Sequence, residues 1–354
     1  MSPSSDTAPF RTLVGAGCLV ALLAAQAPAV EGLVSVKVAT PPTLDGTVEA
    51  AWEQAPALKL TLDKTPYKPD VYPGITTTEI TLRSAYDAEN IYFVLQYKDP
   101  TKSVARFPWI KQADGSWKQM KKLDSTGHDN THYEDKFSIL WDINAKGFAK
   151  LGCAVVCHAA VNGKVNDIAD TSPGRKYTRA GETVDMWHWK SVRTGAVGQI
   201  DDQFINDDNP HDAKDWGRRS DVKTDGGYKD NVKEDKSGPA FMSAKPDAEN
   251  PYWIRDEDKV PFVDTFKEGD VVAGMIVKPI TGPRGDIACA SKWADGTWTI
   301  EFKRKLVTSG DKAAEQDVQF SDLGKAYAFG LAIFDNAQIN HLYHGGSPKL
   351  TFKP

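Results

Sequence analysis

Short runs of β-branched and aromatic residues recur along this chain, and turn-forming residues separate them. Examples are "TEITLRSAYD", "NIYFVLQYKD", "DKFSILWDIN" and "KAYAFGLAIFDN", and in several runs apolar and polar residues alternate. Alternation with a period of two is typical of a strand that buries one face. Many short strands with Gly, Pro, Asn or Asp between them predict an all-β fold, specifically an antiparallel immunoglobulin-like β-sandwich.

One hairpin is predicted with particular clarity. In "KWADGTWTIEF", Asp295 and Gly296 lie between two strand-like runs, and Trp293 and Trp298 flank them. An Asp-Gly pair favours the tight turn whose twist matches that of the adjoining strands. The two tryptophans are therefore expected to pair across the hairpin.

Two long segments break the strand pattern. The regions from about 109 to 134 and from about 206 to 258 lack apolar periodicity, and the second is rich in charge, Gly and Pro. Such segments are either disordered or loops that cover a site on a rigid scaffold. Because they flank a cysteine-containing segment on both sides, we predict loop insertions around a site. No internal repeat or clear domain boundary is visible, so residues 30–354 are predicted to form one domain.

The beginning of the chain resembles an export signal. The run from Leu13 to Ala29 is apolar, too short to span a bilayer comfortably, and ends in small residues. These features predict a cleaved secretory signal peptide over residues 1–29. No other stretch is apolar for long enough to predict a membrane span. The mature chain is therefore expected in an exported compartment, which in a bacterium is the periplasm.

Charge and motif content narrow the classes of function. The net charge of −5 argues against nucleic acid or an anionic membrane as the main partner. The sequence has no Gly-x-Ser-x-Gly elbow, Walker-type phosphate loop, dinucleotide glycine fingerprint or His-Glu-x-x-His metal helix. These absences predict a protein that is not itself an enzyme.

The segment "GCAVVCHAA" places Cys153, Cys157 and His158 within six positions. On a helix, positions four apart differ by roughly 40°, so the two thiols would share one face. That arrangement suits covalent attachment of a haem, with His158 as an iron ligand, although the usual C-x-x-C-H spacing is one residue shorter. A local disulfide and a zinc site are alternatives, but zinc would need two more ligands. Cys289 stands apart and is predicted to be an unpaired strand residue.

Several stretches resemble a known family. "LDGTVEAAWEQAPAL", "LRSAYDAENIYFVLQYKDP" and "WADGTWTIEFKRKL" are similar to the sandwich shared by family 9 carbohydrate-binding modules, DOMON-like domains and the haem-binding γ subunits of ethylbenzene and dimethylsulfide dehydrogenases. "GCAVVCH", "VDMWHWKSVRTGAVGQIDDQF" and "FGLAIFDNAQINHLYHGG" resemble the ethylbenzene-dehydrogenase-related cytochromes. The resemblance runs from about Val34 to Pro354. It implies that the loop insertions cover a haem.

The resemblance also suggests the iron ligands. The dehydrogenase γ subunits hold a non-covalent haem b between a Met and a Lys, whereas this chain carries a cysteine pair suited to one covalent haem c. Met186 lies in a stretch similar to that of the family's Met ligand, and His344 falls near the place of its C-terminal Lys ligand. We predict His158 as the proximal ligand and His344 as the distal ligand, with Met186 as the alternative. In an extended segment His341 would face away from His344.

Three further residues follow Met186. His188 lies between two tryptophans in a strand-like run, so it faces away from both, and a packed or surface imidazole is favoured over a ligand. Lys190, on the same face as His188, and Arg193 are predicted as contacts of the haem propionates.

These features predict a periplasmic c-type cytochrome that transfers electrons. Its expected partner is a redox protein, and as the haem subunit of a molybdenum-dependent oxidoreductase it would join molybdopterin and iron–sulfur subunits. The alternative hypothesis is a carbohydrate-binding module, since the same sandwich binds sugars. A sugar module has no use for the Cys153, Cys157 and His158 set.

Overall fold

The computed structural model describes residues 32–157, 176–208, 217–247 and 250–354, together with the backbone of two short strands at 164–165 and 168–169. The predicted signal peptide, the side chain of Cys157 and all of His158 lie outside the described residues. None of the helices in the described part has the length and apolarity that a membrane crossing requires.

Strands dominate the structure. They are β1 (Leu33–Lys37), β2 (Leu58–Leu62), β3 (Thr78–Tyr86), β4 (Asn90–Lys98), β5 (Trp109–Lys111), β6 (Trp117–Gln119), β7 (Lys136–Asp142), β8 (Lys164–Val165), β9 (Ile168–Ala169), β10 (Val184–Lys190), β11 (Gln199–Ile205), β12 (Arg218–Ser220), β13 (Asp225–Asp230), β14 (Phe241–Ser243), β15 (Trp253–Arg255), β16 (Lys259–Pro261), β17 (Val271–Val272), β18 (Met275–Thr281), β19 (Ile287–Ala294), β20 (Thr297–Lys305), β21 (Tyr327–Phe334), β22 (Leu342–Tyr343) and β23 (Lys349–Lys353).

The helices are short. The α-helices are α1 (Phe148–Leu151), α2 (Ala154–Cys157) and α3 (Ala313–Gln316), and 3₁₀ turns occur at Ala50–Gln54, Gly195–Val197, Asp256–Asp258 and Pro283–Gly285.

Ten of the strands close into a ring in the order β1, β23, β21, β7, β10, β11, β19, β20, β4, β3 and back to β1. The all-β prediction is therefore confirmed. The finer prediction of an antiparallel immunoglobulin-like sandwich is not confirmed, because β1 pairs in parallel with both β23 and β3. By filling the gap between these two strands, β1 removes the free edges that an open sheet would leave.

The interior of the ring is packed with aromatic side chains. Alternate residues of each strand point inward, so Trp187 and Trp189 of β10 pack there with Trp141 of β7. The rings of Phe93 in β4 and Phe302 in β20 stack with their centroids 5.0 Å apart. Burial of such large apolar surfaces is the main favourable term in folding.

The segments predicted as loop insertions contain short strands. β5 and β6 form a small sheet with β17, β13 and β15 pair with β18, and β14 pairs with β16. The predicted loop insertions therefore contain regular structure that the sequence pattern did not indicate. Strands of three residues are too short for the period of two to stand out in a charged sequence.

The hairpin prediction is confirmed. β19 and β20 pair with Trp293 opposite Trp298, and both Asp295 and Gly296 have positive φ angles. Two residues of left-handed backbone are what this tight turn requires. Cys289 lies in β19 as a free, buried cysteine, as predicted.

Candidate functional site

Several of the predicted site residues, among them Cys153 and Met186, lie on the outer surface of the ring, where β21, β7, β10 and β11 run side by side. All seven residues of β10 are buried, so this strand is covered on both faces. Trp187 and Trp189 point into the ring, and Met186 and His188 therefore point outward, as the alternation predicted. We call this covered surface of the four strands the outer face.

The cysteine segment covers one end of the outer face. Helices α1 and α2 bring Phe148, Cys153 and Val156 into one apolar cluster with Met186 of β10 and Leu140 of β7. Cys153 is 1% exposed and Met186 is fully buried. The structure therefore brings together the first predicted attachment thiol and the predicted alternative iron ligand.

Two glycines allow this close packing. A Cβ atom on Gly330 of β21 would lie 2.8 Å from the backbone nitrogen of Cys153, so the cysteine rests directly on the strand. A Cβ atom on Gly152, whose φ is +60°, would lie 2.2 Å from the carbonyl oxygen of Gly346. The cysteine segment is thus held between β21 and the turn that follows His344.

The second half of the cysteine motif is described only in part. The backbone forms a helical turn, in which the Val156 N–H donates to the Cys153 carbonyl at 3.1 Å. The chain returns at Tyr177, whose N–H donates to the Val156 carbonyl at 2.9 Å. Covalent attachment through Cys157 and iron ligation by His158 stay predictions, and so does the alternative of a local disulfide.

His188 occupies the middle of the outer face and is 4% exposed. Its Nδ1 lies 3.3 Å from Oε1 of Gln203 in β11, and its ring is 5.7 Å from that of Phe334 in β21. Its Nε2 has no hydrogen-bond partner among the described residues, and neither has Oγ of Ser138, the residue directly opposite in β7. A buried polar atom without a partner is costly, so two neighbouring ones indicate that a further group belongs here.

The environment of His188 keeps its ring neutral. Burial lowers the pKa of His188 well below its ordinary value, and the positive charges of Lys190 and Lys136 lower it further. When Nδ1–H donates to Gln203, the lone pair remains at Nε2. That is the form of histidine that binds a metal or accepts a hydrogen bond.

The two C-terminal histidines make different contacts. His341 is 5% exposed, and its ring lies 4.7 Å from that of Phe334, in the same row of rings as His188. His344, the predicted distal ligand, is partly exposed, and its Nδ1 lies 3.2 Å from the carbonyl oxygen of Thr61. The imidazole of His344 therefore contacts β2 in this structure, whereas that of His341 belongs to the outer face.

The predicted propionate contacts already have carboxylate partners. Lys190 is buried and forms an ion pair with Asp201 of β11. The guanidinium of Arg193 pairs with the buried Glu134. Burial alone would raise the pKa of Asp201, but Lys190 and the nearby guanidinium of Arg284 hold it well below its usual range. A further anion would have to share these cations with Asp201 and Glu134.

Two polar residues that accompany His188 were not predicted from the sequence. Ser138 and Gln203 stand in the strand-like runs "KFSILWD" and "QIDDQFI", and each lies in register with a residue of β10. For Ser138 the available signal was a polar residue among the apolar residues of β7, whereas β11 contains several polar residues and singles out none of them. Their relation to His188 depends on strand pairing, which the local pattern does not contain.

Comparison with known proteins identifies the family. A family model described as ethylbenzene dehydrogenase matches residues 49–346. The chain belongs to the ethylbenzene dehydrogenase family. The matched region contains Cys153, Met186, His188 and His344, and thus the entire outer face. The family predicted from the sequence is therefore confirmed.

The chain is also similar in structure to a family 9 carbohydrate-binding module from Caldicellulosiruptor kristjanssonii. The form in complex with cellotriose is 8% identical, with 91% of this chain and 94% of that chain covered and a TM-score of 0.33. The form in complex with glucose is 8% identical, with 90% and 95% covered and a TM-score of 0.32. Similarity at this level does not bear on ligand binding. No curated protein sequence matches the chain significantly.

Proposed function

We propose that this chain is an electron-transfer haem protein that carries one covalently attached haem c over its outer face. The observation that carries the proposal is that Cys153 packs on the same buried surface as Met186 and His188. Membership of the ethylbenzene dehydrogenase family supports it. The donor set fits the group, since thiols form thioethers, and thioether sulfur and neutral imidazole both ligate haem iron.

The orphaned atoms on the outer face support the same conclusion. Nε2 of His188 and Oγ of Ser138 are buried without partners among the described residues, as expected where a further group contributes to the site. Cys153 and Cys157 would hold the group, and His158 would be its proximal ligand. For the distal position the contacts favour Met186 over His344, because Met186 shares a cluster with Cys153 while His344 contacts β2.

The bound haem would supply a one-electron couple, and the chain would set its properties. Phe148, Val156 and Leu140 exclude water from the surface around Met186. The positive side chains around His188 would favour an added electron on a group bound there. In this role the chain would transfer electrons and would not itself catalyse a reaction. Its proposed location is the periplasm, after export.

The expected partner is an oxidoreductase. As a member of this family the chain is proposed to pass electrons to or from a molybdenum-dependent enzyme with molybdopterin and iron–sulfur subunits, either as its haem subunit or as a separate carrier. Co-purification of such subunits with the tagged chain from its native host would distinguish a subunit from a carrier. The carbohydrate-binding hypothesis stays a prediction, and the family match favours the haem protein.

Covalent attachment can be tested directly. We expect the protein, produced in an exporting host with haem-maturation enzymes, to stain for haem on a denaturing gel after acid–acetone extraction. Cys157→Ser should leave at most one thioether and reduce the stain, because each thioether forms through one thiol. Cys289→Ser is the matched control, since Cys289 lies in β19 and belongs to the ring core rather than to the outer face. Complete loss of stain from the unmutated protein upon extraction would show that any haem is non-covalent.

A further inference from the structure

A second polar site lies at one mouth of the ring. Asp99 follows the end of β4, Asp135 precedes the start of β7, and Asp335 follows the end of β21. We call these three residues the acidic triad. Each offers a carboxylate oxygen, and the three oxygens all lie within 4.8 Å of one another. All three side chains are buried, with 0%, 0% and 2% exposure.

Backbone and side-chain donors satisfy only part of the acidic triad. Asp135 accepts from the N–H groups of Asn336 and Ser103 at 3.0 and 2.7 Å. One oxygen of Asp99 accepts from Thr101 at 3.0 Å, and one oxygen of Asp335 accepts from the N–H of Ile75 at 2.8 Å. The other oxygens, Oδ2 of Asp99 and Oδ1 of Asp335, have no hydrogen-bond partner among the described residues.

The acidic triad also lacks a counter-charge in the described part of the chain, where none of its members forms an ion pair with Lys, Arg or His. The two charged neighbours of Asp135 are engaged elsewhere. Glu134 pairs with Arg193, and the ammonium of Lys136 donates to the carbonyl oxygens of Ala337 and Gln338. Three buried carboxylates without a cation repel one another strongly.

Tyr97 provides an independent sign of a ligand. Its side chain is 1% exposed, and its hydroxyl has no hydrogen-bond partner among the described residues. It stands two residues before Asp99 and so shares that residue's side of the strand. It also lies opposite Trp298 of β20, whose Nε1 donates to Asp135 at 3.1 Å.

The donor chemistry indicates which cation fits. Every available donor is an oxygen, which favours hard divalent cations over zinc or copper. Calcium accepts six to eight oxygens at about 2.3–2.6 Å in a flexible geometry, so three carboxylate oxygens that lie within 4.8 Å of one another can share one such ion. Magnesium demands a nearly ideal octahedral geometry and usually keeps several water ligands, so a buried set of protein oxygens suits it less well than calcium.

From this geometry we propose that Asp99, Asp135 and Asp335 form a calcium site, with the Tyr97 hydroxyl at its edge, that ties together the ends of β4, β7 and β21. The site would neutralise the buried carboxylates and fix the ends of β7 and β21, whose outer surfaces carry Ser138 and Phe334. It is independent of the proposed haem function.

A second cluster of three aspartates can be compared with the acidic triad. Asp202, Asp221 and Asp317 also place carboxylate oxygens within 4.8 Å of one another, and we call them the second acidic cluster. There the guanidinium of Arg304 lies 3.7 Å from Asp202 and 3.2 Å from Asp185. This built-in cation takes the place that we assign to calcium in the acidic triad.

The test uses the purified full chain with any haem in place. After treatment with a calcium chelator and its removal, equilibrium dialysis with radioactive calcium should show one saturable site at free calcium of about 1 mM or below. The midpoint of thermal unfolding, Tm, should rise with calcium by about 3 °C or more. Asp335→Asn should weaken binding at least tenfold and abolish the rise in Tm, because it removes a ligand charge. Asp317→Asn, in the second acidic cluster, should leave both unchanged.

Folding of the variant can be judged separately. Without calcium, Asp335→Asn should have a Tm at least equal to that of the unmutated protein, because it relieves repulsion in the acidic triad. If this variant does not fold, Asp99→Asn provides the same measurement. The proposal is overturned if the unmutated protein binds no calcium at about 1 mM, if the triad variants bind it as tightly, or if only Asp317→Asn loses it.

Discussion

At the scale of single residues, two variants distinguish Met186 from His344 as the proposed distal ligand. Met186→Leu should abolish the sulfur-to-iron charge-transfer band of the ferric protein and lower its reduction potential, because Met ligation raises that potential. This near-isosteric change should cost less than about 1.5 kcal/mol of stability, so the fold should persist. His344→Ala is the matched variant and should leave the band intact, since His344 contacts Thr61 rather than the outer face. A ferric protein that lacks this band, and whose low-spin spectrum changes in His344→Ala but not in Met186→Leu, would assign the distal position to His344.

At the scale of elements, the contact between the cysteine segment and β21 depends on Gly330. Gly330→Ala would place a methyl group 2.8 Å from the Cys153 backbone nitrogen, so α2 must shift away from a strand that is paired on both sides. We expect a loss of about 1–3 kcal/mol in the free energy of unfolding and a lower yield of attached haem. Gly238→Ala is the control, because its methyl group would make only ordinary contacts, the nearest at 3.5 Å. Equal stability of the two variants in urea would refute the close contact.

At the scale of the whole molecule, buried acids at separate places in the ring make stability depend on pH. Burial, and then the charge of Asp335, raises the pKa of Asp99 from 3.8 to about 7; burial, despite Arg304, raises that of Asp185 to about 7. The folded chain therefore holds protons that the unfolded chain has released above pH 4. Each such proton stabilises the fold at low pH, and that stability is lost as the pH rises toward 7.

We accordingly expect Tm in the presence of a chelator to fall between pH 5 and pH 8. Calcium should reverse much of the fall at pH 8, since the ionised acidic triad then has its counter-ion. Without calcium, the Tm of Asp99→Asn should fall less steeply with pH, because the asparagine side chain does not titrate. Scanning calorimetry across this range gives the measurement, and a Tm that rises steadily with pH would contradict the expectation.

The local pattern of the sequence predicted most of the long strands of the ring, the β19–β20 hairpin and the direction of the β10 side chains. Successive side chains of a strand point to opposite faces, so Met186 and His188 lie on one face of β10 and Trp187 and Trp189 on the other, whatever the position of the strand in the fold. The motif around Cys153 was likewise visible from spacing alone, and the family followed from the match over residues 49–346.

Only the tertiary structure decided what those side chains meet. The closing of the ring by β1, the pairing of Lys190 with Asp201 and the gathering of the acidic triad all join residues that are distant in sequence or on neighbouring strands. Such contacts depend on strand order and register. The alternation of β10 showed that His188 faces outward, but the neighbouring strands and covering segments determined that it is buried with its Nε2 unpaired.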